Sequence, residues 1–289
     1  MIKELRREYP LRVLCRVPEV SASGFHARLR RGPSKRARAR ARLELAVRAA
    51  HQRTRQTYGA QRLRRELASD GFRVSLGTLK RVRRESGLRC VQARKRFRVT
   101  ATDSGHQLPV APNLLTQDFK AARPDQVRTA DITYAPTEEG WLYVAALKDL
   151  FAGGVVGCSF GARMTTDLVV RAFEQAVSAR RPAPGLVHHS DRGSQYCSHE
   201  YQRFLASYGM RASMSRKGNC YGNAPIESFR GTLKTELVHH RRYWTRADAA
   251  RETAEYIDLF YNRQRRQARL GYLSPAAYTQ QFMRQRPAA

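Results

Sequence analysis

Three acidic residues in unlike local settings carry most of the chemistry this chain could do: Asp131, Asp191 and Glu227. Asp131 lies in Ala130-Asp131-Ile132-Thr133-Tyr134, whose alternation reads as a strand. Asp191 sits in His188-His189-Ser190-Asp191-Arg192-Gly193-Ser194-Gln195-Tyr196, just after the apolar Leu186-Val187. Glu227 follows Gly222-Asn223-Ala224-Pro225 and starts a predicted helix. Three carboxylates from two strands and one helix can hold a pair of divalent cations, and such a pair can cut and join phosphodiesters. Singly, each acid has an ordinary explanation. An Asp at a strand end commonly caps a turn, and a Glu in a first helical turn complements the helix dipole.

The bulk composition fits a polyanionic partner. The chain has 289 residues, 42% of them hydrophobic, with 54 basic and 24 acidic residues giving a formal charge of +30. The excess is mostly Arg and is densest before residue 100. Nucleic acid is the default partner for such a charge. No segment has the length of a membrane span and no signal peptide opens the chain, so a cytoplasmic location with no membrane partner is expected. Five scattered cysteines, none at metal-ligand spacing, suit a reducing compartment. The pairs His188-His189 and His239-His240 make poor zinc sites, because adjacent side chains on a strand face opposite ways. The same alternation turns one of His188 and His189 inward, in a packing or supporting role.

These residues need a frame, and the sequence predicts one. Residues 1–56 read as basic helices, with a long exposed one over 35–55. Residues 57–88 read as a helix-turn-helix: Leu63 and Leu67 share a face, Ser69-Asp70-Gly71 breaks, Ser75 caps, and Leu79 and Val82 face inward. Its second helix carries Lys80, Arg81, Arg83 and Arg84, candidate DNA contacts. Residues 89–124 read as a basic linker in which Arg94, Lys95 and Arg96 are further candidates. In 125–240 the order is three strands, helix, strand, helix, strand, helix, which is the order of a ribonuclease-H-like fold. The expected class is therefore α/β: a mixed five-stranded sheet with flanking helices, preceded by a basic all-helical region. Residues 241–289 read as a helical extension with Thr245 as a cap. Ile226, Phe229, Leu233 and Leu237 anchor the Glu227 helix and fix where Glu227 points. Lys234, two turns on, is a candidate phosphate contact, while Asp149 and Glu236 are expected to be structural.

In combination the motifs resemble the OrfB-type transposases of bacterial insertion sequences, relatives of retroviral integrases. The matching segments include Asp131-Ile132-Thr133-Tyr134, Lys148-Asp149-Leu150-Phe151, His189-Ser190-Asp191-Arg192-Gly193-Ser194-Gln195-Tyr196, Gly218-Asn219-Cys220-Tyr221, Asn223-Ala224, Glu227-Ser228-Phe229, Tyr261-Asn262 and Leu270-Gly271-Tyr272. The resemblance implies that Asp131, Asp191 and Glu227 form a catalytic triad binding two Mg²⁺ or Mn²⁺ ions, Asp131 bridging both. It implies 3′-end cleavage and strand transfer on element ends and target DNA, by a homo-oligomer in a synaptic complex. It also implies that the chain begins near the start of a downstream reading frame, with an upstream product as a further partner. Five positions depart from the pattern: Arg128 for Trp, Gly153 for Arg, Gly222 for Asp, Arg230 for an aromatic residue and Gln267 for His. The alternative they raise is a non-catalytic DNA-binding protein with a degenerate integrase-like core.

Overall fold

The computed structural model describes residues 2–5, 7–91, 105–216 and 222–285. Arg94, Lys95, Arg96 and the Gly218–Tyr221 motif lie outside them. In the central part, β1 (Val127–Thr137), β2 (Gly140–Asp149) and β3 (Val155–Gly161) form an antiparallel meander. The β1–β2 hairpin closes at Gly140, whose φ of 103° suits glycine. β4 (Val187–Ser190) and β5 (Arg211–Met214) add to the other edge, parallel to their neighbours, in the order β3-β2-β1-β4-β5. This is the ribonuclease-H-like topology expected from the element order.

Helices cover both faces, which is why β2 reads as nearly continuous burial rather than alternation. On one face lies α7 (Thr166–Arg180), which packs Leu168, Val169, Ala172, Phe173 and Ala176 against Ala145 and Leu147. Thr165 caps it, its hydroxyl accepting from the Leu168 amide at 3.3 Å. Gly157 allows the close approach of β3, since a Cβ there would stand 2.8 Å from that of Ala176. On the other face lies α10 (Ala224–Glu236), whose Ile226, Phe229 and Leu233 pack with Ala135 and Ala146. Between them in sequence come α8 (Ser194–Cys197) and α9 (His199–Ser207).

Among the described residues six helices precede the sheet: α1 (Ile2–Leu5), α2 (Leu11–Arg16), α3 (Ala22–Arg30), α4 (Lys35–Arg53), α5 (Ala60–Ser69) and α6 (Leu76–Glu85). The helix-turn-helix of α5 and α6 buries Leu63, Leu67, Leu79 and Val82 completely. Ser75 caps α6 from its Oγ, and Gly87 ends it with φ of 65°. The basic helix α4 is exposed along its first half and on one face of its second, while Val47 and Ala50 turn into the core of α5 and α6. After the sheet come α11 (Arg246–Glu255), a π-helical turn over Tyr256–Tyr261, and α12 (Pro275–Gln285). The N-terminal helices dock there. Tyr58 donates to the Gln264 carbonyl at 3.2 Å and accepts from the Arg266 amide at 2.6 Å.

Both His188 and His189 are buried, at 1% and 0% exposure, where alternation had one facing inward. Alternation does hold, but β4 is an interior strand covered on both sides, so either direction leads to a core. His188 faces Phe173 and Tyr201, whose hydroxyl lies 2.9 Å from Nε2. Burial, with the Arg128 charge adding to it, pushes His188 from 6.5 down to about 3. A histidine depressed in this way stabilises the fold fully above its unfolded value and loses that contribution as pH falls toward its folded one. Acidification from about pH 6.5 should therefore cost up to about 1.4 kcal/mol per pH unit at this site. Denaturant unfolding at pH 7 and pH 5 should show a smaller loss for His188→Gln than for the parent. Equal losses would remove His188 from the acid response.

Candidate active site

Asp131 sits in the middle of β1, and Asp191 directly follows β4, the strand that pairs parallel to β1. Neighbouring parallel strands thus bring two acids that are far apart in sequence to one small pocket. Its wall also includes Ile132, Gly193, Tyr196 and Arg230. Asp131 is 6% exposed. Its Oδ1 accepts from the Ile132 amide at 2.7 Å and its Oδ2 from Arg230 Nη1 at 2.5 Å. Burial pushes Asp131 up to about 6; Arg230 opposes that shift and the Asp191 charge adds to it. Asp191 Oδ1 accepts from the Gly193 amide at 3.0 Å, a turn that fixes its carboxylate.

Glu227 lies in the first turn of α10 and is half-buried. It is absent from the pocket wall, and among the described residues no three acidic, His or Cys side chains close into a metal-binding group. What joins the three acids is Arg230, one turn after Glu227. Its guanidinium is held protonated by Asp131, Glu227 and Asp191 against the cost of its own burial. The departure from an aromatic residue at 230 thus puts a cation against Asp131.

The loop into α10 is clamped by residues that the sequence reading did not single out for this purpose. His189 Nε2 lies 2.8 Å from the Gly222 carbonyl, which can only accept, so that nitrogen carries the proton. Its Nδ1 then accepts from Ser213 Oγ at 2.8 Å. Asn223 Nδ2 donates to the Ala130 carbonyl at 3.1 Å, beside Asp131. Lys148 Nζ donates to the Pro225 carbonyl at 2.7 Å, and burial pushes this amine down to about 7. Three bonds therefore tie the start of the Glu227 helix to β1, β2 and β4. The readable signal for Lys148 is a lone lysine in the apolar run Val144–Leu150.

Other departures have partners too. Arg128 is fully buried and pairs with Asp125 at 2.5 Å. At Gly153 the Arg269 guanidinium occupies the space a side chain would need, so a guanidinium from elsewhere in the chain stands where the pattern has Arg. Among the candidate DNA contacts, Lys80, Arg81 and Arg84 are exposed on α6, while Arg83 is half-buried. Lys234 Nζ lies 4.1 Å from the centre of the Tyr134 ring, and burial and Arg230 lower its pKa.

Residues 121–220 and 227–283 match integrase core domain families, and residues 38–96 match an HTH-like domain. An insertion element IS600 uncharacterized 31 kDa protein from Shigella sonnei is 50% identical over 93% of this chain and 98% of its own length. Transposase InsF for insertion sequence IS3A, from Escherichia coli (strain K12), is 39% identical over 96% of each chain. The chain belongs to the insertion-sequence transposase family. A solved structure of the HTLV-2 integrase catalytic core domain in complex with magnesium aligns with TM-score 0.44 and 18% identity, over 55% of this chain and 99% of that one. In this transposase-family chain no helix among the described residues is long and apolar enough to cross a membrane.

Proposed function

We propose that the chain is a DNA transposase catalysing divalent-metal-dependent cleavage at the 3′ ends of its element and transfer of those ends into target DNA. The observation that carries this is the convergence of Asp131 and Asp191 from adjacent parallel strands on one pocket, with Arg230 balancing them and Glu227 together. In the first step a water oxygen attacks phosphorus and the 3′ oxygen leaves, giving a free 3′-hydroxyl. In the second that hydroxyl attacks a target phosphodiester, forming one P–O bond as another breaks. No protein–DNA covalent intermediate is needed.

Three carboxylates, with no thiolate or imidazole, are a donor set that fits a hard cation. Asp131, Asp191 and Glu227 would hold Mg²⁺ or Mn²⁺, two ions in this reading, supplying activation of the attacking oxygen and stabilisation of the leaving one. The chain's own parts do the rest. β1 and the Gly193 turn hold two carboxylates rigidly, the loop clamp sets the α10 end, and Lys234 offers a positive charge to a phosphate. The exposed cations of α6, with Arg94, Lys95 and Arg96, would hold DNA chiefly through phosphates, with binding that falls steeply with salt. Action as a homo-oligomer on paired ends, with an upstream reading-frame product, in the cytoplasm, belongs to the same proposal.

The test is a labelled oligonucleotide carrying a candidate terminal inverted repeat, incubated with Mg²⁺, Mn²⁺ or chelator. Metal-dependent nicking and joining are expected. Binding without cleavage in any metal would instead favour the non-catalytic reading, for which the Arg230–Asp131 pair is the specific motive. That pair yields a separate prediction. Arg230→Phe should lower metal-free stability by about 1–3 kcal/mol, because a buried carboxylate loses its partner. Added Mg²⁺ should then raise the melting temperature more in the variant than in the parent. Equal shifts would mean that Arg230 does not compete for the site.

A further inference from the structure

At the other end of the sheet from Asp191, where β1 and β4 begin and α7 ends, lies a polar cleft of about 520 Å³. Its charged lining is Lys120, Arg123, Asp125, Arg180, Arg181 and Arg211. These come from four places: the segment before β1, the end of α7, the residue after α7, and the start of β5. The single acid is already engaged, by Arg128 at 2.5 Å and Arg180 at 4.0 Å. Lys120, Arg123, Arg181 and Arg211 are exposed, and no ion pair holds them among the described residues. Cations at the end of α7 complement its dipole, which would account for Arg180 and Arg181. It accounts for neither Lys120, Arg123 nor Arg211.

The backbone of the cleft is also unusual. Asp125 and Arg181 both have positive φ, 59° and 44°, a conformation that non-glycine residues adopt at a cost. Arg181 stands at the position after a helix where glycine is the common choice. Strained residues persist where the surroundings or a function hold them. Here both line one cleft, and one of them supplies an unpaired guanidinium.

We infer that this cleft binds the phosphate backbone of a second DNA segment, distinct from the one at the Asp131 pocket. Four cations from three separate parts of the chain suit a row of phosphates rather than a point anion, and guanidinium groups favour phosphate oxygens. From Val127 to Asp131 the strand advances about 13 Å at about 3.3 Å per residue. The cleft lies where β1 and β4 begin, while the pocket lies at the middle of β1 and just past the end of β4. The inference rests on the proposed action on DNA and gives the chain a means of holding two segments at once.

The full chain is bound to a bead-immobilised 40-base-pair duplex of random sequence and offered a second, labelled duplex. The parent should capture the second duplex. Arg123→Gln/Arg181→Gln/Arg211→Gln should retain the first and capture at least about tenfold less of the second, with a shallower salt dependence of capture. A charge-matched control, Arg203→Gln/Arg242→Gln/Arg251→Gln, should behave as the parent does. Undiminished capture by the cleft variant, or equal loss in the control, would overturn the inference. So would competition by poly-glutamate as effective as that by duplex, which would point to an acidic protein partner. Loss of first-duplex binding by the parent itself would instead count against the DNA reading as a whole. If the triple variant fails to fold, judged by its melting curve, Arg181→Gly supplies the test. It relieves the strain, removes one cation, and should still weaken second-duplex capture.

Discussion

Asp131→Asn should reduce both cleavage and strand transfer by at least about 10²–10³-fold, the scale seen when one preorganised electrostatic group is removed from a reaction site. The reasoning starts from the strand. Asp131 is fixed by ladder pairing with β2, opposite Ala146, and by its own contact with the Ile132 amide; it lies two residues past the end of the β1–β4 pairing at Thr129. Asn has nearly the same shape, so packing is preserved while the charge is lost. Burial pushes the acid up to about 6, so at pH 7–8 most of the carboxylate is still ionised and available to a cation. In the variant Arg230 loses its anion, but it remains beside Glu227 and Asp191. The fold should therefore melt close to the parent. Binding of a duplex should be almost unchanged, because the proposed DNA contacts of α6 lie on another part of the chain. Full activity in Asp131→Asn would remove this residue from the mechanism, whatever the family match.

The frame of the site was readable because its signals are local. Five strands and the helices between them follow from alternation, from Gly at hairpin turns and from Ser or Thr caps. Ile226, Phe229 and Leu233, spaced at i, i+3 and i+7, mark the buried face of α10. The carboxylates were readable as types at a spacing, and the parallel pairing of β1 with β4 accounts for how two of them meet. What was not readable depends on contacts between distant segments. Alternation turns one of His188 and His189 inward in a packing or supporting role, but the bond of His189 to the Gly222 carbonyl spans a stretch that no periodicity connects. The ion pair of Arg230 with Asp131 joins residues far apart in sequence, so the substitution could be noticed but not interpreted. The π-helical turn at Tyr256–Tyr261 was invisible for a related reason. Its composition is that of any buried helix, and its geometry is set by packing against Phe229 and the N-terminal helices.

Glu236→Ala should destabilise the protein by about 3–5 kcal/mol, the cost of breaking a buried charge pair by removing one partner. Glu236 closes α10, and its side chain is 8% exposed against 9% for Arg265. Arg265 reaches it with two nitrogens, Nη2 to Oε1 at 2.6 Å and Nε to Oε2 at 2.8 Å. Tyr256 donates to Oε2 at 2.7 Å, and Arg62 of α5 stands 3.8 Å from Oε1. One carboxylate therefore joins α10, the π-helical turn, the segment after it and the helix-turn-helix. Removing it leaves the Arg265 guanidinium buried beside the Tyr261 ring without its anion. At about 2–4 °C per kcal/mol for a domain of this size, melting should fall by roughly 6–20 °C. Glu236→Gln keeps an acceptor and should cost less. Glu138→Ala is the contrast: its pair with Arg242 is 47% and 72% exposed, so its loss should cost no more than about 1 kcal/mol. The shape of the transition discriminates further. If Glu236 couples the N-terminal helices to the core, Glu236→Ala should separate one unfolding step into two. A single step with an unchanged midpoint would mean that apolar packing alone, through Tyr58 and Phe260, holds the two parts together.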